Sequence, residues 1–379
     1  MSSLNDLMPT LYSALETVSR EMVGFIPSVA VNAAPTNAAI GENIVIPRSK
    51  VGAAEDIIPG TPTTNGLADA GTVQMQITKS RMVPVKWRGE EQLGVNNSGT
   101  LGSVMANQFA QAMRVLVNEV EADLAGLCAG ASRAYGTVGT QIFNNEIMSA
   151  AMARKILEDN GAPMTDLQLV VDTLSAAHLR SNGQLTKANE ANTDATLRRG
   201  ILLDLMGFAI RTSAQLKPHV GGGINGSASV NNTDGYAAGA TEIALDGATG
   251  INLKAGDLLT FSSDANNKYV VAEDASTTPI TLAAPGLVNG VADDTTVTSI
   301  HEYTPCLAFD RNALQLIARQ PAMPQGGDDA DDITSLTDPV SGISFQVAMY
   351  RGYREVRYEF GLAWGVKLIQ PEHVAMLIS

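Results

Sequence analysis

Cysteine, histidine, aromatic residues and positive charge are all scarce in this chain. Its two cysteines, Cys128 and Cys306, stand far apart and lack the paired spacing of a zinc ribbon or a secreted disulfide framework, so a reducing compartment is the simpler reading. The four histidines, His178, His219, His301 and His373, fall into no metal-ligand pattern such as H-E-x-x-H. Lys plus Arg number 25 against 39 for Asp plus Glu, a net charge of -14, which argues against gripping DNA through a wide basic surface. No apolar run reaches the length of a membrane span. No Lys or Arg precedes Arg20, so no signal-peptide pattern marks the chain for export.

What is present is a folded core. Of 379 residues, 45% are hydrophobic and 17% charged, which sets the chain apart from disordered sequences and predicts two or three structural units at about 150 residues each. Residues 3–23 carry Leu4, Leu7, Leu11, Leu15, Val18 and Met22 at helical spacing, and this stripe needs a partner. Residues 26–39 have no sustained period and read as an extended arm able to lie on another subunit. Residues 43–51 and 73–88 read as two strands of a hairpin around a Gly-, Pro- and Thr-rich loop. In the second, Lys79 and Arg81 interrupt a face otherwise formed by Val73, Met75, Ile77, Val83, Val85 and Trp87. Cations amid an apolar face predict a hairpin that leaves its own core and projects, with Arg48 and Lys50 extending its basic character.

Residues 98–129 give the strongest helical signal, with Met105, Phe109, Met113, Leu116, Val120 and Leu124 at spacings of three and four. A second helix is expected over 144–160, closed by Asn160 and Gly161 with Pro163 behind them, then a buried strand at 167–173 and a short helix. Composition changes near Pro218. Between Val220 and Thr304 there are two lysines, no arginine and ten acids, so this segment carries 2 - 10 = -8 of the total charge. Its short β-type runs between turns predict a small barrel or sandwich inserted into the host, with Gly221, Gly222 and Gly223 as a linker. After Asp310 the spacing of Ala313, Leu314, Leu316 and Ile317 predicts a helix. The chain closes on long strands, with Val356, Tyr358, Phe360, Leu362, Trp364, Val366 and Leu368 alternating on one face.

Chemistry is poorly represented. The acids Asp328, Asp329, Asp331 and Asp332 lack the ligand spacing and central glycine of an EF-hand loop, no phosphate-binding loop or G-x-S-x-G elbow occurs, and no catalytic, metal or cofactor residue is assigned.

Three segments carry a resemblance. CLAFDRNALQLIARQPAMP (306–324), RYEFGLAWGVKLIQPEHVAMLI (357–378) and LKAGDLLTF (253–261) are similar to stretches of short-tailed-phage coat proteins. The order of arm, hairpin, long helix, α+β unit and closing strands resembles the Hong Kong 97-type major capsid fold. That resemblance implies an α+β chain divided into an N-terminal arm (1–42), an extended hairpin loop (43–88), a peripheral domain with a spine helix (89–143), an axial domain (144–219), an inserted acidic β-barrel (220–304) and a return through both domains (305–379). It implies a structural protein that forms hexamers and pentamers of an icosahedral shell around double-stranded DNA, assembled in the host cytoplasm on a scaffolding protein with a portal, then expanding. Expansion requires bending in the long helix or the hairpin, for which Gly102 and Gly126 are candidate points, with close helix packing the equal alternative for both glycines. It implies no membrane partner and only weak DNA contact. Arg48, Lys50, Lys79 and Arg81 are then expected to meet acids of an adjacent subunit, and Leu4, Leu7 and Leu11 to serve as inter-subunit contacts. The alternatives are a cellular nanocompartment shell, which the insertion and long arm disfavour, a metal-dependent hydrolase using the 328–332 acids, and an adhesive surface protein, which the missing export signal opposes.

Overall fold

The computed structural model describes residues 4–48, 56–57, 59, 71–97, 101–144, 147–183, 204–324 and 326–379. The N-terminal stripe becomes helix α1 (Leu4–Glu21), followed by a 3-10 turn at Ile26–Ser28 and strand β1 (Ala30–Ala38). Strands β2 (Asn43–Arg48) and β3 (Gly71–Gln76) pair as an antiparallel hairpin. Next come β4 (Lys79–Arg88), α2 (Gly89–Asn97) and the 26-residue α3 (Leu101–Gly126), the spine of the molecule. The central part adds β5 (Arg133–Gly136), α4 (Met148–Asp159), β6 (Leu167–Val171), α5 (Thr173–Ser181) and β7 (Phe208–Thr212). Asn160 caps α4 and Gly161 follows it at φ +75°, as the sequence predicts.

The acidic segment enters through β8 (His219–Val220) and builds β9 (Ile224–Val230), β10 (Glu242–Ile243), β11 (Leu245–Ile251), β12 (Leu258–Phe261), β13 (Lys268–Val270), β14 (Ile280–Thr281) and β15 (Thr296–Ile300). It leaves through β16 (Glu302–Tyr303), which pairs with β8. The chain ends in β17 (Pro305–Asp310), β18 (Leu314–Pro321), β19 (Asp332–Thr337), β20 (Ser344–Gly352), β21 (Glu355–Leu368) and β22 (Val374–Ile378). Among the described residues, one six-stranded sheet runs β1-β18-β21-β20-β19 with β4 also on β21, and one ten-stranded sheet runs β11-β9-β15-β12-β13-β5-β22-β17-β6-β7.

Alternation in β21 places Tyr358, Phe360, Leu362 and Trp364 on the inner face of the six-stranded sheet, where α3 crosses. Phe109 of α3 packs on Tyr358 and Phe360 at ring separations of 5.2 and 5.3 Å. Each large side chain removed from water there contributes about 1.5–3 kcal/mol.

The structure corrects five expectations. The segment behind Asp310 is strand β18, preceded by one 3-10 turn that Asp310 caps through the N–H of Asn312. Leu314 and Leu316 enter the main core while Ile317 faces the hairpin, a period of two that the helical spacing concealed. Residues 26–39 are no free arm, since β1 lies parallel to β18 from Ala30 opposite Gln315. The predicted strand at 73–88 divides after Gln76, so that β3 belongs to the hairpin and β4 to the six-stranded sheet. The acidic segment has its own core around Phe261, Tyr269 and Ile280, yet β13 pairs with β5 and joins it to the host sheet. Gly221 is a close-packed joint, because a Cβ there would stand 1.6 Å from the Asp257 carboxylate.

Glu121, an acid within the long helix α3, is only 6% exposed. Its carboxylate accepts the backbone N–H groups of Phe25 at 2.9 Å and Ile26 at 2.8 Å and the hydroxyl of Ser213 at 3.2 Å. Burial lifts the carboxyl above the ordinary glutamate value while these donors pull the other way. A raised folded-state value stabilises the protein fully below the unfolded value, and that contribution is lost as pH rises through the folded one.

Glu121→Ala strands two buried N–H donors and is expected to cost about 2–4 kcal/mol in urea unfolding followed by tryptophan fluorescence. The stability advantage of wild type over Glu121→Gln should shrink as pH rises from about 4 to 7; a constant or growing advantage would contradict the assignment. Gly102 and Gly126 of α3 are exposed, with nothing within 4 Å of a Cβ built at either. Each Gly→Ala change should therefore raise stability, by up to about 1 kcal/mol for a helix-interior site, whereas a loss would reveal a packing role.

Candidate assembly surfaces

Leu4 and Leu11 are 1% and 0% exposed within their own subunit, in the core shared with α3, and Leu7 packs against the same cluster. The stripe thus finds its partner on the spine helix. The backbone N–H of Leu4 donates to the Asp332 carboxylate at 3.0 Å and ties the start of α1 to β19.

Lys79 and Arg81 share the face of β4 that carries Val83, Val85 and Trp87, and that face turns toward α3. Lys79 pairs with Asp123 at 2.7 Å and Arg81 approaches Glu119 at 3.8 Å. Asp123 also accepts the indole N–H of Trp364 at 2.8 Å. Glu119 and Asp123 lie four residues apart on α3, so one helix face supplies both acids. These cations answer acids of their own subunit. Arg48 ends β2 with its backbone opposite Gly71, while Lys50 lies outside the described residues. The structure does not gather the seven predicted contact residues into one surface.

The hairpin root lies flat on the outer face of the six-stranded sheet. Ile46, Met75 and Ile77 pack with Ile317, Ala363 and Ile369. A Cβ at Gly365 would stand 2.1 Å from the Gln76 carbonyl oxygen, so only glycine admits this approach. Lys367 Nζ donates to the Gln74 carbonyl at 2.8 Å. Between hairpin and body runs an open groove of about 480 Å³ beside Asn32, Pro47 and Gln315.

The large exposed apolar side chains lie elsewhere. Ile57, in the segment between β2 and β3, is 95% exposed, and Tyr353, in the β20–β21 turn, is 93% exposed. Leu93 on α2 is exposed too, and the Gly89 N–H just before it donates to the Arg354 carbonyl beside Tyr353. Val340 is exposed between β19 and β20, Val138 and Leu174 just beyond the ends of β5 and β6, Met148 at the start of α4 and Met206 just before β7. Single exposed apolar residues such as Ile57, Tyr353 and Val340 give no period from which sequence reasoning could single them out.

The groups that invite a chemical reading are occupied internally. Asp328 accepts the Tyr350 hydroxyl, Asp331 faces Arg351 at 3.7 Å and Asp332 holds Leu4. Asp257, fully buried, takes His219 Nε2 at 2.9 Å and the N–H groups of Gly222 and Lys254. Burial pushes the Asp257 carboxyl up, but these partners outweigh it and leave it below the ordinary aspartate value. Burial also raises both thiols, Cys128 to about 11 and Cys306 further, the reverse of an activated nucleophile. Among the described residues no group of three or more His, Cys, Asp and Glu side chains is placed to hold a metal ion, and no helix is long and apolar enough to cross a membrane.

No family model matches the chain, and no curated protein matches it. Among solved structures it is similar to one from Mycobacterium phage Che8, at 14% identity and a TM-score of 0.47, over 90% of this chain and 85% of that one. It is similar to the capsid of the cyanophage P-SCSP1u at 12% identity and a TM-score of 0.46, covering 94% and 88% of the two chains. A virus-like particle from Pyrococcus furiosus is similar at 10% identity and a TM-score of 0.45, covering 98% and 99%.

Proposed function

We propose that this chain is the repeating subunit of a closed shell, a major capsid protein of the Hong Kong 97 type that forms hexamers and pentamers and encloses double-stranded DNA. The observation that carries the reading is the distribution of exposed apolar groups, which are spread over several segments: Ile57, Leu93 and Tyr353, Val340, and Val138, Met148, Leu174 and Met206. A subunit that meets copies of itself on several sides needs several modest contacts, and these add up through multivalency in a closed lattice. On this reading the chain divides as the resemblance implies, into an N-terminal arm, an extended hairpin loop, a peripheral part with the spine helix, an axial part and an inserted acidic β segment.

A net charge of -14 suits a container, because weak or repulsive contact leaves packaged DNA free to enter and leave. On this reading the acidic segment faces outward or lies between capsomers. A scaffolding protein and a portal are the partners expected during assembly.

Electron microscopy of the expressed protein, alone and with neighbouring gene products, should show curved lattices or closed particles. A compact monomer at high concentration would overturn the reading, and protein cargo in place of nucleic acid would favour a nanocompartment. In intact particles, protease or antibody should reach the 220–304 segment; protection of the whole segment would refute its outward placement.

A further inference from the structure

The acidic segment joins the host through a neck of two short strands, β8 and β16, in which His219 lies opposite Tyr303. The turn of LKAGDLLTF (253–261) closes on this neck from the acidic side. Its Asp257, fully buried, accepts from His219 Nε2 at 2.9 Å, from the Gly222 N–H at 3.2 Å and from the Lys254 N–H of its own turn at 2.8 Å. A Cβ at Gly256 would stand 3.1 Å from His219 Cε1 and 3.4 Å from Ala129, so the host's 3-10 turn at Leu127–Gly130 lies against the same spot. The His219 ring packs on the Tyr303 ring at 5.0 Å, and the Tyr303 hydroxyl donates to the Gly256 carbonyl. One carboxylate thus holds the entering strand, the glycine linker and its own turn together.

Imidazole is the side chain that changes its charge around neutral pH. Asp257, held below the ordinary aspartate value by its partners, stays charged throughout that range. The other groups around the ring do not titrate there: burial pushes the Cys128 thiol up to about 11 and the Tyr303 hydroxyl higher still, and the Lys254 amine is taken by Asp274 at 2.8 Å. Lys217 and Glu302 are exposed. His301 lies across the linker, 2.8 Å from a Cβ built at Gly223, with its Nδ1 buried and without a hydrogen-bond partner. We propose that His219 and Asp257 form a proton-operated latch on the root of the acidic segment, closed when both ring nitrogens of His219 are protonated and loosened when one proton leaves. A neutral ring still donates through Nε2; the charged ring adds an ion pair with a carboxylate shielded from water. The charged form is favoured in the closed neck, so its contribution is fully present below the open-state histidine value of about 6.5 and is lost as pH rises through the closed-state one. The latch belongs to the single chain and does not depend on shell formation.

Hydrogen exchange of the full-length protein tests this. Protection of peptides covering 219–224 and 252–258, corrected for the intrinsic pH dependence of exchange, should fall about tenfold between about pH 5.5 and 8. His219→Gln, which keeps a neutral donor, should remove that dependence, and His301→Gln should keep it. In histidine-labelled protein the ring signal missing from His219→Gln should titrate at lower pH in Asp257→Asn, whose amide oxygen still accepts the N–H groups of the turn. Protection that does not vary with pH in the parent, or varies equally in His219→Gln, would overturn the latch. Loss of the variation in His301→Gln would assign it to the other ring and overturn the latch as well, as would an unmoved His219 signal in a folded Asp257→Asn. If Asp257→Asn does not fold, the exchange of His219→Gln and His301→Gln decides between these outcomes.

Discussion

One buried carboxylate decides where three parts of the chain meet. Glu121 projects from the spine helix, holds the turn that follows α1 by two backbone N–H groups, and reaches Ser213 just beyond β7. Because Phe25 and Ile26 are fixed there, Pro27 presents its carbonyl to Arg311, and β1 begins in register with β18.

The same geometry explains why parts of the fold were legible in the sequence and others were not. Helices α1 and α3 bury one apolar stripe, and β21 keeps its large side chains on one face with small Gly and Ala on the other, so their periods survive as written. Strand β18 is buried on both faces, and a run of Ala313, Leu314, Leu316 and Ile317 fits helical and alternating spacing alike until a partner is known. Strand β1, rich in Ala and Asn, acquires its identity from pairing with residues almost three hundred positions away. Lys79 and Arg81 were placed on the correct face of β4, but the acids that answer them stand about forty residues on, on a helix, and sequence spacing alone does not reveal such pairs. Of the candidate surface even less was readable. Ile57, Tyr353 and Val340 acquire meaning only when the fold shows them uncovered.

The acidic segment is held in the same connected manner. Arg133, 1% exposed, donates to the Asn160 side-chain oxygen at 2.9 Å and reaches Asn267 at 3.3 Å. Asn267 in turn donates to Asp264, which accepts the Tyr269 hydroxyl and the Asn289 amide. With β13 already paired to β5, this chain of bonds runs from the end of α4 into the core of the insertion. The acidic segment continues the ten-stranded sheet, and displacing one displaces the other.

That rigidity bears on how so acidic a subunit associates at all. Copies carrying -14 each repel one another, and the -8 of the 220–304 segment is tied to the rest of the ten-stranded sheet through β13 and β5. Salt confines that repulsion to about 8–10 Å, whereas apolar contact and donor satisfaction act only at touching distance. Association is then governed by a few points of close fit, set where local charge is positive or absent. The turn at Tyr353, flanked by Arg351 and Arg354, meets that condition. On the proposed reading, long-range repulsion disfavours disordered clumping while leaving close-fitting contacts intact, so the net charge favours ordered enclosure.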